Sequence, residues 1–595
     1  MFERTGKLIK EKFREYLLPT MLTSLAVSMA SVVDGMIVGS MLGDVALAAI
    51  GLAGPVIFCI NLLYMLFGVG GLTCASIAQG RRDSKQANLI FTFTIGGGVA
   101  VMLLFWLIMQ LVLQPLSVLL AGGDLELAAM TEQYLRPLLL TGPALMFSSG
   151  ISLFIRMDGK PRTSALIVII ANGVNLILDY VLIRFTDRGI WGAGLSTTLG
   201  YVVSAAAVIP YLLSKKRSFH FTLPGKGSIR ILFTVLKSGL PKAWTQICNI
   251  FRSLVINAII IRYLGSLGMS TMTICTNVLM LFNIFTSGTS DTLVPIVGIL
   301  FGEQDYYGIR QTVKSARNVL IVSCTALLFF FLSFPQVIGK AFGIHDAQAL
   351  AAVSSALRLF SLLLPFDAAL QLLQNFYNTT GRRKLATYMA ISNGLVFVVL
   401  YAIVLVQISP DLLWLCYACS AASTLGLTLI ACRRIGKKEK LPGILMIRKQ
   451  NEPCILYDIT VTAEPEQAVG LANRILEIGK EKQVNTYMPA HLALAAEEMV
   501  RCTAHYAHSD SNRGKIDILT CITASQIVVQ FRDGGRAFNP TEYIPDADET
   551  FSKEHLSRTK EVAKSIEYSR PLGFNNTVLT FDRPKVGAIP LPFEE

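Results

Sequence analysis

Apolar residues in this chain are gathered into blocks long enough to cross a lipid bilayer, and a chain of such blocks has few ways to fold. Residues 99–113 (VAVMLLFWLIMQLVL), 165–183 and 395–407 carry almost no charge, and about 20 such residues make one membrane-spanning helix. The pattern predicts twelve spans, at 15–38, 46–72, 88–114, 133–155, 163–184, 190–213, 240–263, 271–300, 316–340, 354–379, 386–408 and 411–432. Glycine is frequent within them, as it is where transmembrane helices approach closely. The composition agrees, with 52% hydrophobic and 16% charged residues and a mean hydropathy of +0.53. At 595 residues the chain exceeds one soluble core and leaves room for a second domain.

The net charge of +13 would point to nucleic acid in a soluble protein. Here the cations cluster in alternate loops: Arg81, Arg82 and Lys85; Lys160 and Arg162; Lys215, Lys216 and Arg217; Arg310 and Lys314; Arg382, Arg383 and Lys384; and Arg433 to Lys440. The intervening loops are cation-poor or acidic (Asp124, Glu126, Glu132). Lys/Arg-rich loops face the cytoplasm. The expectation is a bacterial inner-membrane protein with both termini cytoplasmic and no nucleic-acid partner. The charged N-terminus reads as an amphipathic lead-in rather than a cleavable signal peptide. Eleven cysteines show no metal spacing in loops; Cys416 and Cys419 form a CxxC within an apolar span and read as helix-packing residues.

An internal repeat organises the spans. Pro19 and Pro241, Leu42-Gly43 and Leu264-Gly265, the turns GRRD (Gly80, Asp83) and GEQD (Gly302, Asp305), and Gly159 and Gly381 each lie 222 residues apart. Matches at one constant offset predict two six-helix halves. An even helix count gives both halves the same orientation, so the repeats are parallel and substrate belongs in a cavity between them. The plan is a lead-in at 1–14, a first half at 15–214, a cytoplasmic linker at 215–239, a second half at 240–433 and a basic linker at 434–452. A soluble α+β domain follows at 453–595. In it we expect strands near 454–461, 515–521, 525–532 and 576–582, and helices near 464–483, 490–507 and 553–565. The fold class is thus an all-α polytopic membrane protein of twelve helices in two repeats, with a small α+β domain appended.

Charges inside the spans mark candidate sites, because a carboxylate in hydrocarbon is costly and faces the bundle interior or water. Asp34 in the first span and Asp179 in the fifth both fall about 25–30 Å from their cytoplasmic ends at about 1.5 Å per residue. Asn175 shares a helix face with Asp179, and Thr197 in the next span adds a hydroxyl. All four supply oxygen donors, a set suited to Na⁺ at Asp34 and Asp179 or to taking up a proton. The alternative is a structural, hydrogen-bonded polar pair. In the second half Arg252, Asp291 and Asp367 stand in helices seven, eight and ten. Arg252 and Asp367 come out about 18 and 20 Å from the cytoplasmic ends. They read either as a self-neutralising ion pair or as a second proton or substrate site. Arg252 is the one cation expected at cavity depth.

The opening LPTMLTSLAVSMASVVDGMIVGSMLGDVALAAIGLAGP, the RMDGKPR turn, NGVNLILD and GAGLSTT resemble the multidrug and toxic compound extrusion (MATE) family over residues 15–435. The resemblance implies export of organic, often cationic, compounds driven by a proton or sodium gradient. It places the cation-coupling site at Asp34, Asn175, Asp179 and Thr197. Where the family often has further Asn residues this chain has Ser149 and Ser152, which leaves H⁺ and Na⁺ both open.

In the soluble domain LALAAEEMVRCTAHYAH and FRDGGRAFNP resemble the two nucleotide-binding boxes of the GHKL fold, in its anti-sigma-factor serine-kinase form. VAKSIEYSR and NNTVLTF match its closing helix and strand. That resemblance implies Asp533 bonding the adenine amino group, Gly535 admitting the base, and Glu497 or Glu498 as general base. The Mg²⁺-holding Asn is replaced by Cys502, a poor ligand for a hard cation. The Gly-rich phosphate loop is replaced by KEHLSRTKEVAK, which leaves Lys553, Arg558 and Lys560 as phosphate-side cations. A degenerate regulatory or docking domain is expected. Nucleotide binding without catalysis and an active kinase are the alternatives, and ATP binding is in doubt.

The function that follows is secondary-active antiport of organic, chiefly cationic, compounds by alternating access, with H⁺ or Na⁺ as coupling ion and no other cofactor. The chain is not expected to be an enzyme, and no GxxxxGK[ST] loop supports ATP-driven pumping. Its partners would be small organic substrates, the lipid bilayer and a cytoplasmic regulatory protein. The competing readings are a lipid-linked precursor flippase, which a strongly cationic cavity would favour, and a receptor signalling through the soluble domain.

Overall fold

The structure is a computed structural model, and it describes residues 4–186, 189–225, 228–342, 344, 346–441, 443–447, 455–481, 487–508, 514–522, 526–542 and 559–582. It divides into two compact units. One comprises Phe13–Asp305 and Thr312–Met446; the other comprises Met1–Lys12, Tyr306–Gln311 and Ile447–Glu595.

Among the described residues twelve helices are long and apolar enough to cross a membrane. They are α1 (Lys7–Gly43), α2 (Ala48–Gly80), α3 (Ser84–Leu120), α4 (Leu125–Met157), α5 (Pro161–Phe185), α6 (Gly189–Leu213), α7 (Ile229–Gly265), α8 (Leu267–Gly302), α9 (Tyr306–Ser333), α10 (Ala347–Thr379), α11 (Arg383–Ile408) and α12 (Pro410–Lys438). Helices α1 and α7 begin before the apolar stretches at 15 and 240. Ahead of residue 15 the charged helix formers of KLIKEKFR continue the helix, and ahead of residue 240 the apolar IRILFTVL does so up to the Ser-Gly before Pro241.

The 222-residue repeat reappears in the backbone. Gly43 (φ 81°) breaks α1 from α2, and Gly265 (φ 62°) breaks α7 from α8. Both occupy the left-handed region open mainly to glycine. Asp124 caps α4, its Oδ1 accepting from the Leu127 amide at 3.1 Å. Asp346 caps α10 in the same way from the Ala349 amide at 2.8 Å. The halves meet where α2 crosses α8. A Cβ on Gly80 would stand 2.1 Å from the Ile299 carbonyl oxygen, and one on Gly302 would stand 2.4 Å from that of Ile77. Gly80 and Gly302 are themselves repeat mates, so the pseudo-twofold axis passes between them. This contact lies at the basic-loop ends of both helices.

The second unit contains a five-stranded antiparallel sheet in the order β1-β2-β3-β5-β4. Its strands are β1 (Ile455–Thr462), β2 (Lys515–Ile522), β3 (Gln526–Asp533), β4 (Ser565–Ser569) and β5 (Asn575–Asp582). Helices α13 (Pro465–Glu481) and α14 (Tyr487–Cys502) share a core with alternate strand residues such as Ile459, Ile518, Val529 and Phe581. The helix expected over 553–565 is corrected. Residues 559–562 are helical and 553–558 lie outside the described residues, but Ser565–Ser569 forms β4 against β5. Its S-I-E-Y-S alternation suits a strand, and the free edge of β5 supplies the partner. On the outward side of β1 and β2 the start of the chain is embedded. Arg4 donates from Nε to Asp517 Oδ2 at 3.3 Å and from Nη1 to Asp458 Oδ2 at 3.5 Å. The Tyr307 hydroxyl donates to the Arg4 carbonyl at 2.8 Å, and the Thr5 amide donates to Thr460 at 3.0 Å.

Candidate functional site

A polar cluster occupies the interior of the first half. Asp179 of α5 is fully buried. One turn earlier on the same face, Asn175 Nδ2 donates to Asp179 Oδ2 at 3.1 Å. The same Nδ2 reaches Thr197 Oγ1 at 3.2 Å and Ser196 Oγ at 3.5 Å, both on α6. Ser196 donates to Asp179 Oδ1. Asp34 of α1, half-buried, lies beside Asp179. The structure therefore brings Asp34, Asn175, Asp179 and Thr197 together. It adds Ser196, which the sequence reading missed although it stands beside Thr197 in GLSTT.

The donor set bears on the ion. Two neighbouring carboxyl groups repel when both are ionised, so the pair can hold a proton or a cation between them. The Asn175 amide presents its N–H side, not its oxygen, to the carboxylate and hydroxyls. The cluster can take up a proton or, with the amide and hydroxyl oxygens turned inward, coordinate a cation. Among the described residues no group of three or more His, Cys, Asp or Glu side chains forms a metal site.

A cavity of about 590 Å³ lies between the halves, lined from α1, α2 and α4 on one side and α7, α8, α10, α11 and α12 on the other. Arg252, Asp291 and Asp367 all line it, as do Arg156 and Lys242. The sequence reading, which placed Arg252 as the one cation at cavity depth, is corrected: among the described residues three cations line the cavity. Arg156 sits in the RMDG turn at the end of α4, and Lys242 one residue after the α7 proline, places that read as loop-proximal in a linear sequence. The expected pairing of Arg252 with Asp residues is also corrected. The Arg252 guanidinium stands over the Tyr417 ring, 5.5 Å from its centroid, while Asp367 accepts from Gln371 Nε2 at 2.6 Å. Asp291 lies 3.7 Å from Lys242 Nζ and accepts from Asn375 at 3.2 Å.

In the soluble domain the residues expected around a nucleotide are engaged by other protein groups. Asp533 Oδ1 accepts from the Gly535 amide at 2.8 Å and from Asn575 Nδ2 at 3.0 Å, with His508 Nε2 at 3.3 Å. A Cβ on Gly535 would meet the Ala507 carbonyl oxygen at 2.3 Å. Glu498 is buried and accepts from Thr559, and Glu497 pairs with Arg501 at 2.7 Å. Cys502 is buried near Ala507, Tyr506 and Phe538. Burial and the nearby Glu498 carboxylate push its thiol up to about 12, so it is protonated at neutral pH. Lys560 is exposed, and Lys553 and Arg558 lie outside the described residues.

The profile of the MatE family matches the chain twice, over residues 19–181 and 241–404, once in each half. Those stretches cover more than half of the chain. The chain belongs to the MatE family. Members of that family are secondary transporters, not enzymes. Among curated relatives, the Multidrug export protein MepA of Staphylococcus aureus is 26% identical over 387 residues, covering 64% of this chain and 84% of the relative. MepA of Staphylococcus saprophyticus is 25% identical over 385 residues with the same coverages. Among solved structures, a MATE protein in complex with MaL6 has a TM-score of 0.68 at 21% identity, covering 73% of this chain and 99% of that one. A MOP superfamily transporter from Pyrococcus furiosus, described as having a binding pocket of reverse polarity, has a TM-score of 0.67 at 20% identity, covering 74% and 100%. These structural likenesses establish the twelve-helix fold of this MatE member. The family matches end at residue 404, ahead of the C-terminal α+β domain.

Proposed function

We propose that this MatE member is a proton-driven exporter of organic solutes in a bacterial plasma membrane, with both termini cytoplasmic. The observation that carries this reading is the buried Asp34–Asp179–Asn175–Ser196 cluster, present in one half only. At the repeat-equivalent positions the second half has Ile256, Tyr401, Phe397 and Ala418, so that half keeps the helices without the cluster. The coupling cluster and the cavity share α1. Thr23, Ser24, Val27 and Ser28 line the cavity, and Asp34 lies about 9 Å further along the same helix at 1.5 Å per residue. Protonation at Asp34 and Asp179 changes what holds α1 against α5 and so biases one arrangement of the halves. The MepA relatives, named as multidrug exporters, support an organic substrate.

Choice of the ion has a direct test. Purified protein incubated with radioactive sodium is expected to retain no saturable counts, in wild type and Asp179→Asn alike. Saturable sodium binding that disappears in Asp179→Asn would make Na⁺ the coupling ion.

We read the C-terminal domain as a degenerate GHKL-like regulatory module. Its supporting observation is the grip on the chain start: Arg4, 8% exposed, sits among Asp458, Asp517 and Tyr307. Residues 4–12 lead into α1 of the first half, and Tyr307 opens α9 of the second. We read a domain that holds both segments as a brake on transport that a cytoplasmic partner releases. Removing one member of a buried charge cluster costs about 3–5 kcal/mol. Arg4→Ala is therefore expected to raise amide hydrogen exchange in β1 and β2 while leaving α2 and α8 protected. Unchanged exchange in both strands would dismiss the grip as a regulatory element.

A further inference from the structure

The cavity wall holds a guanidinium that no carboxylate neutralises. Arg156 is 9% exposed and lines the cavity, yet among the described residues no carboxylate stands within 4 Å of its guanidinium, which makes no hydrogen bond. Arginine stays protonated in proteins, and a buried unpaired charge is costly. Asp291 is the carboxylate whose charge reaches Arg156, but it already lies against Lys242 at 3.7 Å and accepts from Asn375. Arg156, Lys242 and Asp291 thus form one station with two positive charges and one negative. Arg252 over Tyr417 and Asp367 beside Gln371, though not in contact, add one charge of each sign and cancel in sum; Lys242 and Arg252 are ten residues apart, about 15 Å along α7. The excess positive charge belongs to the first station, and the Arg252–Tyr417 platform and apolar wall residues such as Leu153, Leu279 and Met389 offer room for the rest of a solute.

We infer that the cavity selects organic solutes bearing an anionic group, a carboxylate or phosphate, which is bound by Arg156 and Lys242. The inference rests on the export reading and narrows its substrate class: a purely cationic compound leaves Arg156 unpaired, whereas an anionic or amphoteric one supplies the missing partner. Asp291 then serves as the resting counter-ion of Lys242, exchanged when the solute's anion arrives.

The test is gradient-driven uptake by the full-length protein in proteoliposomes, comparing carboxyfluorescein as the anion with ethidium as the cation. Wild type is expected to accumulate carboxyfluorescein. A charge-assisted hydrogen bond contributes about 1.5–3 kcal/mol, so Arg156→Gln should slow that uptake about tenfold or more. Arg156→Lys should restore part of it, and ethidium uptake should not fall. Competition by an isoprenyl pyrophosphate in the liposome membrane would place the anion on a lipid; competition by soluble benzoate alone would place it on a free solute. Either supports the shared chemistry. Uptake of ethidium without carboxyfluorescein overturns the inference and leaves the export reading standing. So does an Arg156→Gln variant that loses both dyes equally while Arg156→Lys keeps both, because Arg156 is then structural. If neither dye moves in wild type, the export reading fails and the inference falls with it.

Discussion

Asp179→Asn lowers gradient-driven export by about 5- to 150-fold, the range spanned by coupling free energies of 1–3 kcal/mol, while the protein still folds. The two halves of that expectation have separate causes. Asn has the shape of Asp and keeps one acceptor oxygen for Ser196, while Asn175 can turn its own amide oxygen toward the new NH2, so the packing at residue 179 survives. An amide, however, does not take up or release a proton at any working pH, so the Asp34–Asp179 pair no longer reports the gradient. Transport rates in proteoliposomes, with elution as a monodisperse species as the folding control, measure both. A fully active Asp179→Asn would reduce the cluster to a structural feature and move the coupling site elsewhere, with Asp367 beside Gln371 the next carboxyl to examine.

Gly302→Val has the second large effect. The helix crossing leaves no volume for a side chain: even a Cβ would lie 2.4 Å from the Ile77 carbonyl oxygen and 2.8 Å from the Gly80 Cα. Overpacking costs about 1–3 kcal/mol, and here the cost falls on the one arrangement in which the basic-loop ends of α2 and α8 touch. Equilibrium should shift by about 5- to 150-fold toward arrangements with those ends apart. Labelling of a cysteine introduced near Ile77 by a membrane-impermeant maleimide in inverted vesicles should rise accordingly. Unchanged labelling with normal export would show that the contact does not separate during transport.

How much of this was open to a reader of the sequence depends on the kind of residue. The helices were legible because hydrocarbon demands an apolar residue at nearly every position over a whole span. The repeat was legible through glycines whose backbone tolerates no substitute, Gly43 and Gly265 among them. Asp34 and Asp179 stood out because a carboxylate inside an apolar run has no ordinary explanation. Arg156 and Lys242 did not stand out, because a cation near a loop is what orientation alone predicts. Only the packing shows that they turn into the cavity. The edge strand β4 was missed for a related reason: five residues carry too little pattern to distinguish a strand from a helix end, and pairing with β5 decides. Ser196 needed the α5–α6 contact to be seen.

The most direct test of the account is uptake of a fluorescent organic solute into inverted membrane vesicles that contain this protein. The proton gradient is collapsed first, and the sodium gradient in a separate run. The account predicts uptake that stops when the proton gradient is collapsed, persists without sodium and is lost in Asp179→Asn. Uptake that survives collapse of both gradients, or no uptake of cationic and anionic dyes alike, would contradict it.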